Sequence, residues 1–153
     1  MLMNRAWIAA RIPHRDRMCL LDEVLDWNAV QIRCRTATHR APDNPLRSHG
    51  RLGVLCGIEY AAQTMALHGA LAGGAVHAVG VGLPRVGLLA GIRAVRCSVL
   101  RLDDIGADLI CEVTHLAGDG LTALYEFALH DRDRTLLGGR ASVVLDAGRH
   151  LKK

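Results

Sequence analysis

Aromatic side chains are scarce: one Phe, two Tyr and two Trp make up 3% of 153 residues. A chain this poor in rings lacks the stacking platforms on which single-stranded nucleic acid is held, so its core must be filled by Leu, Val, Ile and Ala. Lysine is confined to Lys152 and Lys153, which leaves the net charge of +4 to arginine. No Lys/Arg run forms a nucleic-acid-binding arm. Because the planar guanidinium pairs best with carboxylate and phosphate, this balance suits an acidic protein or a phosphate-bearing ligand, although scattered surface charge is the commoner explanation. The five cysteines, Cys19, Cys34, Cys56, Cys97 and Cys111, are odd in number and show no C-x-x-C pair, which argues against a disulfide framework and a zinc site. Cys34, Cys97 and Cys111 alternate with strand residues and read as small core hydrophobes in a reducing compartment. Met1 to Arg11 lacks the apolar stretch of a signal peptide, so the expected location is the cytoplasm.

One long apolar run is present, from Gly53 to Gly73. It approaches membrane-spanning length, but Glu59, Gln63 and His68 fall on more than one helical face. A helix buried in protein fits better than one buried in lipid. Apolar residues form 50% of the chain and charged residues 22%, which excludes disorder, and the length suits one domain spanning 1–153.

Residues 4 to 11 can form a short helix stopped by Pro13. Met18 to Leu25 reads as a strand, and Ala29 to Thr38 alternates, with Val30, Ile32 and Cys34 against Gln31, Arg33 and Arg35. Ala41 to Gly50 is a loop leading to the apolar helix. After the glycine-rich passage Gly73 to Gly82, everything from about Val86 onward reads as strand separated by turns, with four strands expected: Val95 to Leu102, ending at Asp103-Asp104, then Asp108 to Leu116, Leu121 to His130 and Arg140 to Leu145. Gly118-Asp119-Gly120 is the hairpin signal between the second and third of these. Two strands, a buried helix and four strands describe an α+β domain in which an antiparallel sheet wraps a central helix, with an edge strand free to pair with a second subunit.

Glu59 is the only charge inside the apolar run. A lone acid there shifts its pKa upward or finds a partner, so its presence points to proton chemistry. Gln63, at i+4, shares its face and can orient it. His49, just before the helix, and His39, at the end of the second strand, are the two candidate bases. His68, nine residues after Glu59, falls on the opposite face and is read as a core or interface residue. His14 and Arg15 are read as holding the N-terminal turn.

With this order of elements, the chain resembles the hot-dog fold family, in particular the β-hydroxyacyl-ACP dehydratases of the FabA/FabZ type. The motifs are Ile12-Pro13-His14-Arg15 followed by Met18 to Val24, Glu59-x-x-x-Gln63 at the start of the central helix, and Leu89-Ala90-Gly91-Ile92 through Val95-Arg96. Asn44 to Arg47, Gly50 to Leu52, Gly57 to Gln63 and His68-Gly69 are similar to the ApeP-like dehydratases associated with aryl polyene gene clusters. The segment between His49 and the helix is about four residues shorter than in FabZ. The resemblance implies elimination of water from a 3-hydroxyacyl thioester of an acyl carrier protein or CoA, with Glu59 as acid and His49 or His39 as base. Such a reaction also needs a polarised thioester carbonyl, for which backbone N–H groups around Gly53, Val54 and Gly57 are candidates. Arg93, Arg96 and Arg101 share one strand region and are candidates for the carrier or its phosphate. No metal or cofactor is implied, and the partner is a second hot-dog subunit, identical or not. A hot-dog acyl-CoA or acyl-ACP thioesterase and a weakly active or non-catalytic carrier-binding partner subunit of a hot-dog heterodimer are the alternatives.

Overall fold

The computed structural model describes residues 2–72 and 87–145, so the expected Gly73 to Gly82 passage lies outside the described residues. Helix α1 (Arg5–Ala9) starts at Asn4, whose side chain accepts the Trp7 N–H at 3.1 Å. Arg15 closes its other end by donating to the carbonyls of Ala9 and Ile12. Six strands follow: β1 (Glu23–Trp27), β2 (Gln31–Thr36), β3 (Gly87–Cys97), β4 (Leu109–Gly118), β5 (Thr122–His130) and β6 (Thr135–Leu145). They form one antiparallel sheet in the order β1-β2-β4-β5-β6-β3, with helix α2 (Gly57–Ala72) between β2 and β3 in the chain and packed on β2, β4 and β5.

The sheet divides its two faces by the period of two that strand geometry imposes. Ile32, Cys34 and Thr36 on β2, Leu109, Cys111 and Val113 on β4, and Ala123, Tyr125, Phe127 and Leu129 on β5 are buried toward α2. The opposite face carries an ion-pair ladder in which Arg35 meets Glu23 and Asp108, Arg40 meets Asp108, and Arg33 meets Asp26 and Glu112. The expected faces therefore hold for Ile32 and Cys34, while Val30 lies in the turn before β2 and is exposed.

Three expectations are corrected. The first strand begins at Glu23 and not at Met18, because the backbone of the preceding segment is claimed by side chains. Leu20 N–H donates to Gln63 Oε1 at 2.9 Å, and the Leu20 carbonyl accepts from the hydroxyls of Thr36 and Thr38. Second, β3 ends at Cys97 and the chain leaves the sheet, so Leu100 and Leu102 pair instead with the approach to α2, through Val54 N–H to Leu100 O and Leu102 N–H to Leu52 O. Third, Cys97 is exposed because β3 is a sheet edge, whereas Cys34 and Cys111 face each other across β2 and β4 in the core.

Helix α2 is preceded by a 3₁₀ turn, Val54–Cys56. Its start is packed closely: a Cβ on Gly57 would lie 2.7 Å from Leu137 Cδ2 and 2.9 Å from Leu129 Cδ2. Only glycine lets the helix sit this near β5 and β6. Among the described residues no helix is long and apolar enough to cross a membrane.

Candidate active site

Glu59 sits in the first turn of α2, on a part-exposed face, and it has a partner. His14 Nε2 lies 3.1 Å from Glu59 Oε1, with side-chain exposures of 25% and 34%. Forty-five residues of chain separate them, and Gln63 closes that distance. Its amide Nε2 donates to Met18 O at 2.5 Å and its Oε1 accepts from Leu20 N–H, which clamps the segment after His14 onto the helix. The same Nε2 reaches Glu59 Oε1 at 3.4 Å. Gln63 is wholly buried and orients both halves of the pair.

Hydrogen bonding decides the electrostatics. The bond from His14 is the largest influence on Glu59 and lowers its pKa, outweighing the upward push of partial burial. Of the two outcomes expected for a lone acid in an apolar run, an upward shift or a partner, the structure shows the partner, and the bond to it favours the carboxylate form. His14 Nδ1 is enclosed and has no hydrogen-bond partner among the described residues. The tautomer with hydrogen on Nε2 leaves no buried N–H without an acceptor, so donation from Nε2 to the carboxylate is the arrangement that fits.

The two imidazoles expected as bases lie elsewhere. His39 is 0% exposed, and its Nε2 lies 3.0 Å from the carbonyls of both Ile105 and Ala107. Carbonyls only accept, so that nitrogen is a donor fixing the β3–β4 connection, and the ring is buried within the chain. His49 is exposed at the tip of a tight turn closed by hydrogen bonds between Ser48 and Arg51, and its Nδ1 lies 3.0 Å from Ser48 Oγ. His49 and Gly50 have φ of 53° and 74°, the left-handed pair of a type I′ turn. Within the chain only His14 comes within ion-pair distance of Glu59 among the described residues. The signal that could have found it was the Pro13-His14-Arg15 motif, which the structure splits: Arg15 holds the turn and His14 meets the acid.

Of the proposed backbone donors, Val54 N–H is taken by Leu100 O and Gly57 N–H by the carbonyls of Val54 and Leu55. Both are spent on the entry to α2, which leaves Gly53, exposed at the head of that turn. Arg93 and Arg96 are exposed on edge strand β3 and make no ion pair with a described residue. Arg101, by contrast, is bound by Asp103 through Nε to Oδ1 at 3.0 Å and through Nη2 to Oδ2.

The sequence matches the ApeP-like family, described as ApeP dehydratase, over residues 6–150. The chain belongs to the ApeP-like family. Membership makes it a dehydratase, a hydro-lyase linked to aryl polyene biosynthesis. Among solved structures it is similar to the dehydratase heterocomplex ApeI:P from Xenorhabdus doucetiae, with 21% identity over 95% of this chain and 97% of that one and a TM-score of 0.78. A thioesterase from Haemophilus influenzae matches with 9% identity over 80% and 76% of the two chains at a TM-score of 0.55. A hot-dog-like protein from Thermanaerovibrio acidaminovorans matches with 14% identity over 80% and 84% at 0.55. These likenesses establish the hot-dog fold. Comparison with functionally curated proteins gives no significant sequence match.

Proposed function

We propose that this ApeP-like dehydratase removes water from a 3-hydroxyacyl thioester with the His14–Glu59 pair as its acid–base centre. The observation that carries the reading is the 3.1 Å contact between His14 Nε2 and Glu59 Oε1 at the head of the family's acid-bearing helix. Glu59, ionised and part exposed, accepts the proton from C2, which the thioester acidifies. As C2 and C3 form their double bond, the C3–O bond breaks, and the same carboxyl returns the proton to the departing hydroxyl, releasing water and a trans-2-enoyl thioester. His14 holds the carboxylate through Nε2–H, and Gln63 holds them together. His39 and Val54 have no part in this scheme.

The carrier is an acyl carrier protein or CoA, and Arg93 and Arg96 meet it through charge-assisted hydrogen bonds. Arg93 stands opposite Arg140 in the β3–β6 register, a like-charge pairing that an anionic partner relieves. A second hot-dog subunit, of the same or a different sequence, pairs along β3. Support comes from the eleven-residue length of that edge, its exposed Leu88, Leu89 and Val95, and the heterocomplex to which the chain is similar. Free carriers of both kinds and five free cysteines accord with a cytoplasmic setting.

The test offers a 3-hydroxyacyl thioester and its saturated analogue to the protein, alone and with its partner subunit. Enoyl absorbance from the first without thiol release from either is the expected result, lost by about two orders of magnitude in His14→Ala. Thiol release from both substrates would make the protein a thioesterase. A strictly monomeric mass at micromolar concentration, with full activity, would remove the second subunit from the scheme.

A further inference from the structure

A second feature lies along α2, beyond the acid–base pair. A cavity of about 390 Å³ opens between the second half of the helix and the β4–β5 hairpin. Its volume falls in the range of ligand pockets, and most of its wall is small and apolar, including Ala62, Ala66 and Gly69. These three residues share the part-exposed helical stripe that begins at Glu59, at i+3, i+7 and i+10. The polar part of the wall is Thr122, whose hydroxyl donates to Asp119, and an aromatic cluster of His68, Tyr125 and His115. Tyr125 meets His68 edge-on with ring centres 5.6 Å apart, and His115 meets Tyr125 in the same way at 5.2 Å. Glu59 and His68 are nine residues apart, a span of roughly 13.5 Å along the helix axis.

Hydrogen bonding within the cluster leaves a definite vacancy. His68 Nε2 lies 3.1 Å from the Asn28 carbonyl, which only accepts, so that nitrogen bears the hydrogen. Burial pushes the His68 pKa down, keeping the ring neutral, and Nδ1 then accepts the Tyr125 hydroxyl proton at 2.9 Å. Tyr125 has used its only donor and retains lone pairs. The His115 ring makes no hydrogen bond to any described residue. A methyl group would leave these atoms unpaired, whereas a hydroxyl can donate to the Tyr125 oxygen and pair with His115.

We propose that this cavity receives the far end of the acyl chain and that Tyr125 and His115, with His68 fixing the Tyr125 hydroxyl, select a chain ending in a hydroxyl over one ending in a methyl. The proposal rests on the dehydratase reading above for what enters the cavity. Its test is therefore made by binding, on the Glu59→Gln variant, so that failure of the acid–base assignment and failure of this one are separable. Isothermal titration would compare the N-acetylcysteamine thioesters of 3-hydroxydecanoic and 3,10-dihydroxydecanoic acid. The dihydroxy compound is expected to bind about tenfold more tightly, the worth of one good hydrogen bond. In Tyr125→Phe that ratio should fall to about one. A role in folding alone would lower both affinities together and keep the ratio. His115→Ala, which removes a part-exposed ring that makes no hydrogen bond to a described residue, should lower the same ratio and serves if Tyr125→Phe does not fold. Equal binding in the parent, a preference for the methyl end, a ratio that survives the substitutions, or no binding of either compound would overturn the proposal.

Discussion

Replacing Glu59 by Gln keeps the shape of the side chain and removes only its proton chemistry. The substituted amide still presents an oxygen to His14 Nε2–H and to Gln63 Nε2, so both local contacts survive as neutral bonds. Since charge-assisted bonds exceed neutral ones by about 1 kcal/mol or less, and the carboxylate is one-third exposed, the melting temperature should fall by no more than about 2–4 °C. Turnover is a different matter. Loss of a general acid–base group typically costs about 10²–10⁴-fold, equivalent to about 3–5 kcal/mol of barrier. The assay is enoyl absorbance from a 3-hydroxyacyl thioester, with the partner subunit held constant, beside circular dichroism to show that the fold is intact.

The pH dependence supplies an independent check on the same variant. A carboxylate whose folded pKa is depressed stays ionised as the pH falls below the usual glutamate value and is protonated only when the pH passes its lowered value. Wild-type kcat/KM should therefore keep its basic form well into the acid range, and the stabilisation from the His14 contact should be present above the ordinary glutamate pKa and lost below the lowered one. Glu59→Gln should show no such acid limb. A variant retaining activity within about fivefold of wild type, or a wild-type limb above the ordinary glutamate pKa, would refute the assignment.

Three further perturbations probe the surroundings of the site. His49→Asn should leave turnover within about threefold, since Asn tolerates the left-handed turn position that His49 occupies; a hundredfold loss would transfer the base role to His49. Asp103→Ala should cost about 2 kcal/mol, or about 4–8 °C in melting temperature, because Asp103 Oδ1 accepts both Leu52 N–H and Arg101 Nε, while its acid lies far below the usual range and protects this tie until strongly acidic pH. In Gly57→Ala the helix gains about 0.5–1 kcal/mol of propensity but loses about 1–3 kcal/mol to collision with Leu129 and Leu137, so chemical denaturation should show a net loss.

Glu59 was legible because a single charge in a long apolar run is unusual whatever the tertiary structure, and Gln63 because i+4 on one helix is local geometry. Strand β5 was legible for the same reason: its alternation of Ala123, Tyr125, Phe127 and Leu129 against Leu124, Glu126, Ala128 and His130 is written in adjacent residues. His14 was not. Its meeting with Glu59 depends on Gln63 capturing the backbone at Met18 and Leu20, a contact across more than forty residues that no local pattern encodes. That capture also explains why Met18 to Asp22 looked like strand and is not. The surroundings of His39 were hidden for the complementary reason, since a histidine ending a strand gives no sign that two distant carbonyls will claim its nitrogen.

The arginines show how far pattern goes before topology takes over. Arg33, Arg35, Arg40 and Arg101 look in sequence just like Arg93 and Arg96, yet the first four spend their charge on carboxylates, most of which lie on neighbouring strands or loops. Arg93 and Arg96 stand on the edge strand, with Gly138 and Arg140 opposite them on β6 in place of acids. Strand parity could place a residue on a face but could not say what faces it. Because the sheet order puts β3 last, Arg93 and Arg96, which make no ion pair with a described residue, lie on the strand edge that the proposal gives to a second subunit, so on that proposal an anionic carrier and the second subunit approach the same side of the molecule. Substitution of Arg93 and Arg96 should accordingly weaken carrier affinity without changing kcat, whereas a break in the β3 pairing should alter both.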